Sequence, residues 1–241
     1  IGEGERIATK GATFANVKLV AKKLGIIVPM SKEALNDSVI DVMNEVKGAI
    51  AEAFAVRFDN EALFGSAGVY ENSVFEAAYK TGNIFERGSV EQDLADDISD
   101  TMALVEDAGY DVNGFIAKRN IKNALRKLKD NDGNRLYVEN LKTDGAVNEL
   151  YNLPIEFAGN DVFDNLQAEI FVGDWNFAYY GILDDINYEV LKEATLQEIT
   201  SIDGLPLSLA EQDMIAIKAT MRIGFLVIKD SAFAALRPKI E

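Results

Sequence analysis

Apolar and polar residues alternate along two stretches of the chain and recur at helical spacing along three others. The longest alternation is MIAIKATMRIGFLVI. Ile215, Ile217, Ala219, Met221, Ile223, Phe225 and Val227 fall on one face, and Lys218, Thr220 and Arg222 on the other. Fully extended, this run spans on the order of 45–50 Å. Typical strands are shorter, so the pattern predicts an elongated molecule, with a break near Gly224 where the strand passes from one part to the next. FANVKLVAKKLGIIVPM alternates more loosely, with Phe14, Val17, Leu19 and Ala21 set among Lys18, Lys22 and Lys23. It predicts an extended arm with a Gly-rich tip at 1–11, ended by Pro29. An edge strand carrying lysines against aggregation fits the same residues.

The clearest helix has Val39, Met43, Val46, Ile50, Phe54 and Phe58 on one stripe, with Ser38 and Asp41 placed as a capping box. Over 39–58 it would run about 30 Å. The stretch from Gly65 to Gly88 reads as a turn followed by irregular chain. Ser89 and Gln92 open a second helix, on which Leu94, Ile98, Met102 and Val105 form the stripe and Gly109 the stop. KRNIKNALRKLKD predicts a third, buried through Ile121, Leu125 and Leu128. Short strands follow in RLYVEN, LPIEFAG and AEIFVGDWNFAYYGIL, the last interrupted at Gly173-Asp174. NYEVLKEATLQEI reads as a strand pair or a long arm.

Composition removes most chemistry from this α+β chain. Among 241 residues there is no Cys and no His, which excludes thiolate and imidazole nucleophiles, bases and metal ligands. Acids outnumber bases 40 to 24, a net charge of −16, which opposes a generic nucleic-acid binder held by a basic face. No apolar run reaches the ~20 residues of a membrane helix. There is no GxxxxGK phosphate loop, and no GxGxxG follows a strand. Asp130 to Asn134 resembles a calcium loop only superficially, because Arg135 stands where the turn needs Gly. The acidic face of the second helix and the basic cluster of the third read as solvated surface or, for the basic one, a subunit contact. No residue is assigned as catalytic, cofactor-binding or metal-ligating, no cofactor is expected, and an enzyme is not expected.

Four segments in order resemble the major capsid proteins of tailed bacteriophages, with their Hong Kong 97-type capsid fold. They are VKLVAKKLGIIVPMSKEALNDS with its helix ending AFAVRFDNEALFG, then GYDVNGFIAKRNIKNALRKLKDNDGNRLY, FVGDWNFAYYGI and MIAIKATMRIGFLVIKDSAFAALRP. The resemblance implies an α+β architecture with three parts. Residues 1–30 form the returning arm of an extended E-loop. Residues 31–70 and 188–224 form a peripheral domain with a long spine helix and a long β-sheet. Residues 71–187 and 225–241 form an axial domain. It further implies residues upstream of Ile1, which falls inside the apparent E-loop. Some such proteins crosslink subunits from an E-loop Lys to a C-terminal Asn. Lys10 matches the first position, but no Asn follows Asn187, so no such crosslink is expected.

The implied function is self-assembly into hexamers and pentamers that close an icosahedral shell around double-stranded DNA. The implied partners are copies of the chain itself, scaffolding, portal or decoration proteins, and packaged DNA held without sequence preference, with no membrane. The implied location is the virion capsid, assembled in the host cell cytoplasm. Lys18, Lys22 and Lys23 are expected to lie over a neighbour's acidic surface near Asp41 and Glu45. An encapsulin-like cellular nanocompartment shell protein of the same fold is the alternative, distinguished by its cargo. An acidic carboxylate hydrolase or lone binding module is the second alternative, distinguished by a compact monomeric state.

Overall fold

The computed structural model describes residues 18–33, 42–70, 72–88, 93–129, 134–138, 148–159, 161–163, 167–200 and 206–239. The expected arm tip at 1–11, Phe14, Val17, both capping boxes expected at Ser38 and Ser89, Asp41 and the turn at Asp132-Gly133 lie outside these residues. In chain order the first half has β1 (Lys22–Ser31), α1 (Val42–Phe64), α2 (Val74–Thr81), β2 (Ile84–Glu86), α3 (Leu94–Asp107), β3 (Gly114–Lys118), α4 (Lys122–Leu125) and β4 (Tyr137–Val138). The described residues of the second half form strands, with 3-10 turns at Trp175–Phe177 and Asp230–Ala232: β5 (Glu149–Leu150), β6 (Leu153–Ala158), β7 (Ile170–Gly173), β8 (Ala178–Leu191), β9 (Thr195–Thr200), β10 (Pro206–Ser208), β11 (Met214–Val227) and β12 (Phe233–Arg237).

Among the described residues these strands make a three-stranded sheet, β1-β11-β8, a two-stranded sheet, β10-β9, and a seven-stranded sheet, β2-β12-β7-β3-β6-β5-β4. The three-stranded sheet is antiparallel throughout. Its inner face is apolar because alternate residues point one way. Ile217 and Ala219 on β11 pack with Ile50 and Phe54 of α1, flanked by Leu24 and Val28 of β1 and Ile186 and Tyr188 of β8. The helix stripe is therefore the expected one, and α1 runs 23 residues, about 35 Å, past the last stripe residue Phe58 to Phe64, the end that the capsid resemblance implies for the spine helix. Its last turn leaves the first core for a second, where Leu63 and Phe64 join Val74, Ala78, Phe171, Phe233 and Val227 on one face of the seven-stranded sheet. The opposite face is covered by α3, through Leu94, Ile98 and Val105, and by Ile121 and Leu125.

Four expectations are corrected. The break predicted near Gly224 is absent: β11 continues paired, Gly224 opposite Gly181 and Val227 opposite Ala178. The irregularity is a pair of bulges on β8. Between the pairs Thr220–Asn187 and Ile223–Ile182, β11 advances three residues and β8 five. Pro29 does not end β1, which stays paired to Ser31. As the outer strand among the described residues, β1 tolerates a residue without an N–H. The stretch read as irregular contains α2, with a reciprocal capping box in which Glu76 N donates to Ser73 Oγ and Ser73 N to Glu76 Oε2. Gly82 closes it at φ 77°, which only glycine adopts without strain. The basic third helix shrinks to a turn. Lys118 is the buried last residue of β3, Arg119–Ile121 form a 3-10 turn, and α4 has four residues.

The Gly-Asp-aromatic element is a lock between β7 and β3. Trp175 N donates to Asn113 Oδ1 at 2.9 Å and Trp175 Nε1 to Gly114 O at 3.0 Å, while Asn113 Nδ2 donates to Asp174 Oδ1 at 2.6 Å. A Cβ at Gly173 would lie 2.5 Å from Phe233 Cδ1 and 2.7 Å from Ala232 O. Gly173→Ala is therefore expected to cost about 1–3 kcal/mol by overpacking. Ile50→Ala, which empties the first core, is expected to cost about 2–5 kcal/mol. Urea unfolding of the two variants checks both values.

Candidate inter-subunit interface

The three-stranded sheet is anchored to α1 on its inner face, and its outer strands carry exposed apolar residues. Tyr188 OH donates to Lys47 O at 3.2 Å, and Lys47 Nζ sits 5.7 Å from the Tyr188 ring, which ties the start of α1 to β8. At the far end Glu61 is buried, pairs with Arg57 at 3.0 Å and accepts from Ala67 N at 3.0 and 3.2 Å. That fixes the turn leading to Tyr70, whose OH donates to Ile223 O at 3.3 Å. Phe58, Tyr70, Tyr180 and Phe225 complete this end as edge-to-face aromatic pairs.

The outer strands also carry apolar surface that the described residues leave exposed. On β8, Tyr180 is 68% exposed, Leu183 59% and Ile182 54%, with Tyr179 and Val190 also exposed. On the opposite margin, Ile26 and Ile27 of β1 are exposed, and Leu19 and Val20 just before it. Contiguous apolar surface on outer strands marks a contact site or an aggregation liability. Residues Leu19 and Val20 cross the sheet at a notch made by two facing glycines. A Cβ on Gly181 would lie 2.7 Å from Leu19 Cδ2, and one on Gly224 would lie 3.0 Å from Val20 O.

The charges expected at contacts divide as follows. Lys18, Lys22 and Lys23 are exposed, and among the described residues none has an ion-pair partner. Lys22 and Lys23 flank an open groove of about 830 Å³ beside the β8 bulges, lined also by Asp184, Asp185 and Arg222. Arg222 Nη1 lies 3.5 Å from Asp184 Oδ2. Glu45 is exposed on the first turn of α1. The chain does not bring it to the lysines: Lys22 to Ile26 line a groove with Ala53 to Glu61, eight or more residues further along α1, about 12 Å away at helical rise. Asp41 lies outside the described residues. Sequence reasoning did not single out the exposed apolar residues of β8. Their signal is the apolar pairs Tyr179-Tyr180 and Ile182-Leu183, which break the period of two and so leave apolar groups on both faces.

Among the described residues the sheet has exposed apolar groups on its outer strands, charges without ion-pair partners and grooves open to solvent. Comparisons with known proteins identify the family. The sequence profile described as Phage capsid family matches residues 1–237. The major capsid protein of Staphylococcus phage 80alpha is 35% identical over 241 residues, spanning 99% of this chain and 70% of that protein. A solved structure from Microbacterium phage Oxtober96 superposes with a TM-score of 0.76 at 28% identity, over 92% of this chain and 73% of that one. The capsid of a native GTA particle, at 19% identity and a TM-score of 0.64, covers 98% of this chain and 82% of its own, and shares the fold. The chain belongs to the phage capsid family.

Two outcomes test this geometry. Burial, and after it the charge of Glu61, push the Tyr70 phenol above its ordinary value of 10.0. The protonated donor therefore stabilises the fold fully below pH 10, and that contribution is lost as pH rises through the higher folded value. Tyr70→Phe is expected to be less stable by about 1 kcal/mol at neutral pH, with the difference vanishing in strongly alkaline solution, as measured by denaturation across pH. Gly224→Val is expected to leave the unfolding transition near wild type while displacing residues 18–21, read as faster tryptic cleavage after Lys18 and Lys22.

Proposed function

We propose that this protein is the head shell subunit of a bacteriophage. Copies assemble as hexamers and pentamers into an icosahedral shell around double-stranded DNA, and the subunit acts as a structural element with no catalytic step. The reading is supported above all by the exposed apolar strand β8, read together with family membership over nearly the whole chain. Such a surface is costly on a monomer and useful on a lattice of repeated heterologous contacts. A charge of −16 per subunit opposes crowding of copies. Apolar burial must therefore supply the affinity, while ion pairs at the rim set register and partner choice.

In this reading residues 1–30 are the E-loop arm, 31–70 with 188–224 the peripheral domain, and 71–187 with 225–241 the axial domain. The β8–β11 ladder crosses both internal boundaries and would make the two domains move as one. Lys18, Lys22 and Lys23 on one copy would meet the acidic start of α1, near Asp41 and Glu45, on the next. Their separation within the chain supports contact between copies. Scaffolding, portal and decoration proteins are the expected partners, and the shell is assembled in the host cytoplasm.

The test is electron microscopy with light scattering on the full-length protein and on a variant with Lys18, Lys22 and Lys23 all changed to Glu. Wild type is expected to form closed shells of uniform size. The variant is expected to stay folded and to form at least tenfold fewer shells. Normal shells from the triple variant would contradict the assigned contact. A strictly monomeric wild type in the presence of its head-assembly partners would contradict the function.

A further inference from the structure

The chain segregates charge sharply in its middle third. From Gly88 to Ala117 it carries eight acids and no base, and from Lys118 to Lys129 six bases and no acid. Both stretches fold onto one face of the seven-stranded sheet, since Leu94, Ile98 and Val105 share a core cluster with Ile121 and Leu125.

Part of this charge is used within the chain. Asp97 is buried and accepts from Gly88 N at 3.0 Å. Asp93 and Asp97 line a groove with Lys127 and Lys129 at the start of α3. The other end of α3 is different. Its last turn holds Glu106 and Asp107 with no base, and Asp111 follows two residues beyond Gly109, all exposed. Acids there oppose the negative pole of the helix, so this end is electrostatically unfavourable in the isolated chain. A local conflict of that kind is expected where a partner resolves it.

The fold separates the two charges. The acidic end of α3 leads through Val112 and Asn113 into the start of β3, and the basic residues begin where β3 ends. This strand, at the centre of the seven-stranded sheet, holds the patches apart by roughly 13 Å of rigid backbone. Arg119, Lys127 and Lys129 are exposed at the basic end. Among the described residues, none of these three bases and none of Glu106, Asp107 and Asp111 has an ion-pair partner. Opposite charges fixed at the two ends of one strand do not meet within one copy, and copies arranged head to tail bring them together in a contact that repeats.

We propose that the acidic end of α3 (Glu106, Asp107, Asp111) in one copy docks on the basic turn (Arg119, Lys127, Lys129) of the next. This makes a heterologous contact that repeats around a capsomer. The inference rests on the shell-subunit reading and adds a surface to it, separate from the lysine-bearing arm. It also assigns the basic turn to protein contact and not to packaged DNA.

Charge reversal tests it in the full-length protein. Lys127→Glu with Lys129→Glu is expected to melt like wild type, and Glu106→Lys with Asp107→Lys at or above wild type because cations suit a helix C-terminus, yet each is expected to raise the concentration needed for assembly at least tenfold. Assembly is followed by sedimentation velocity and electron microscopy. All four changes on one chain are expected to restore that concentration to within threefold of wild type, because the signs match again. Normal assembly by both double variants would overturn the proposal while leaving the shell reading intact, as would failure of the folded quadruple variant to recover. A basic-turn variant that assembles normally but retains less DNA would overturn it in favour of a nucleic-acid contact. A wild type that never assembles with its head-assembly partners would overturn the shell reading and this proposal together.

Discussion

The structure depends on one antiparallel ladder. β8 and β11 are 14 residues each and pair from Leu191–Ala216 to Ala178–Val227. At one end β11 supplies Ile217 and Ala219 to the core under α1, and at the other it supplies Val227 to the core of the seven-stranded sheet. α1 makes the same crossing, with Ile50 and Phe54 in the first core and Leu63 and Phe64 in the second. Two independent elements thus tie the cores together, and a ladder cannot slip by one residue without turning its apolar face outward. The bulges on β8 sit between the two cores, where twist is adjusted without breaking the pairing.

This rigidity has a consequence for assembly. The described residues do not cover the whole ladder, and its outer strand β8 is left with exposed tyrosines, isoleucine and leucine. What reads as a defect in a monomer would serve, in the proposed assembly, as a contact surface of a phage shell subunit. The net charge of −16 moderates the same surface, because it disfavours indiscriminate association and leaves only contacts in correct register with a net gain. The sequence relationship to a phage major capsid protein extends over 99% of the chain, so it spans the cores, the ladder and the exposed strands alike.

Legibility in the sequence followed the size of the repeated signal. The α1 stripe and the β11 alternation involve large side chains over many residues, and both were readable. α2 was not, because its buried positions are Val74, Ala77 and Ala78, and small residues make no conspicuous stripe. Its capping box and terminal glycine were nevertheless in plain view. The spacing of Ile121, Leu125 and Leu128 mimicked a full helix. A 3-10 turn followed by a single α-turn presents the same apolar residues to the core. The bulges escaped because they lie on β8, whereas the glycine that suggested a break lies on β11. At the interface, exposure of the lysines and of Glu45 was readable. That they lie at different ends of the helix–sheet unit was not, since the distance depends on how α1 packs against β1.

The central claim is that the open sheet is completed by neighbouring copies. Amide hydrogen exchange measured on unassembled subunits and on closed shells tests it most directly. The account predicts that β1, residues 18–21 and β8 gain protection on assembly, while the buried strands β3, β7 and β12 exchange equally slowly in both states. Equal exchange of β1 and β8 in subunits and shells would contradict it.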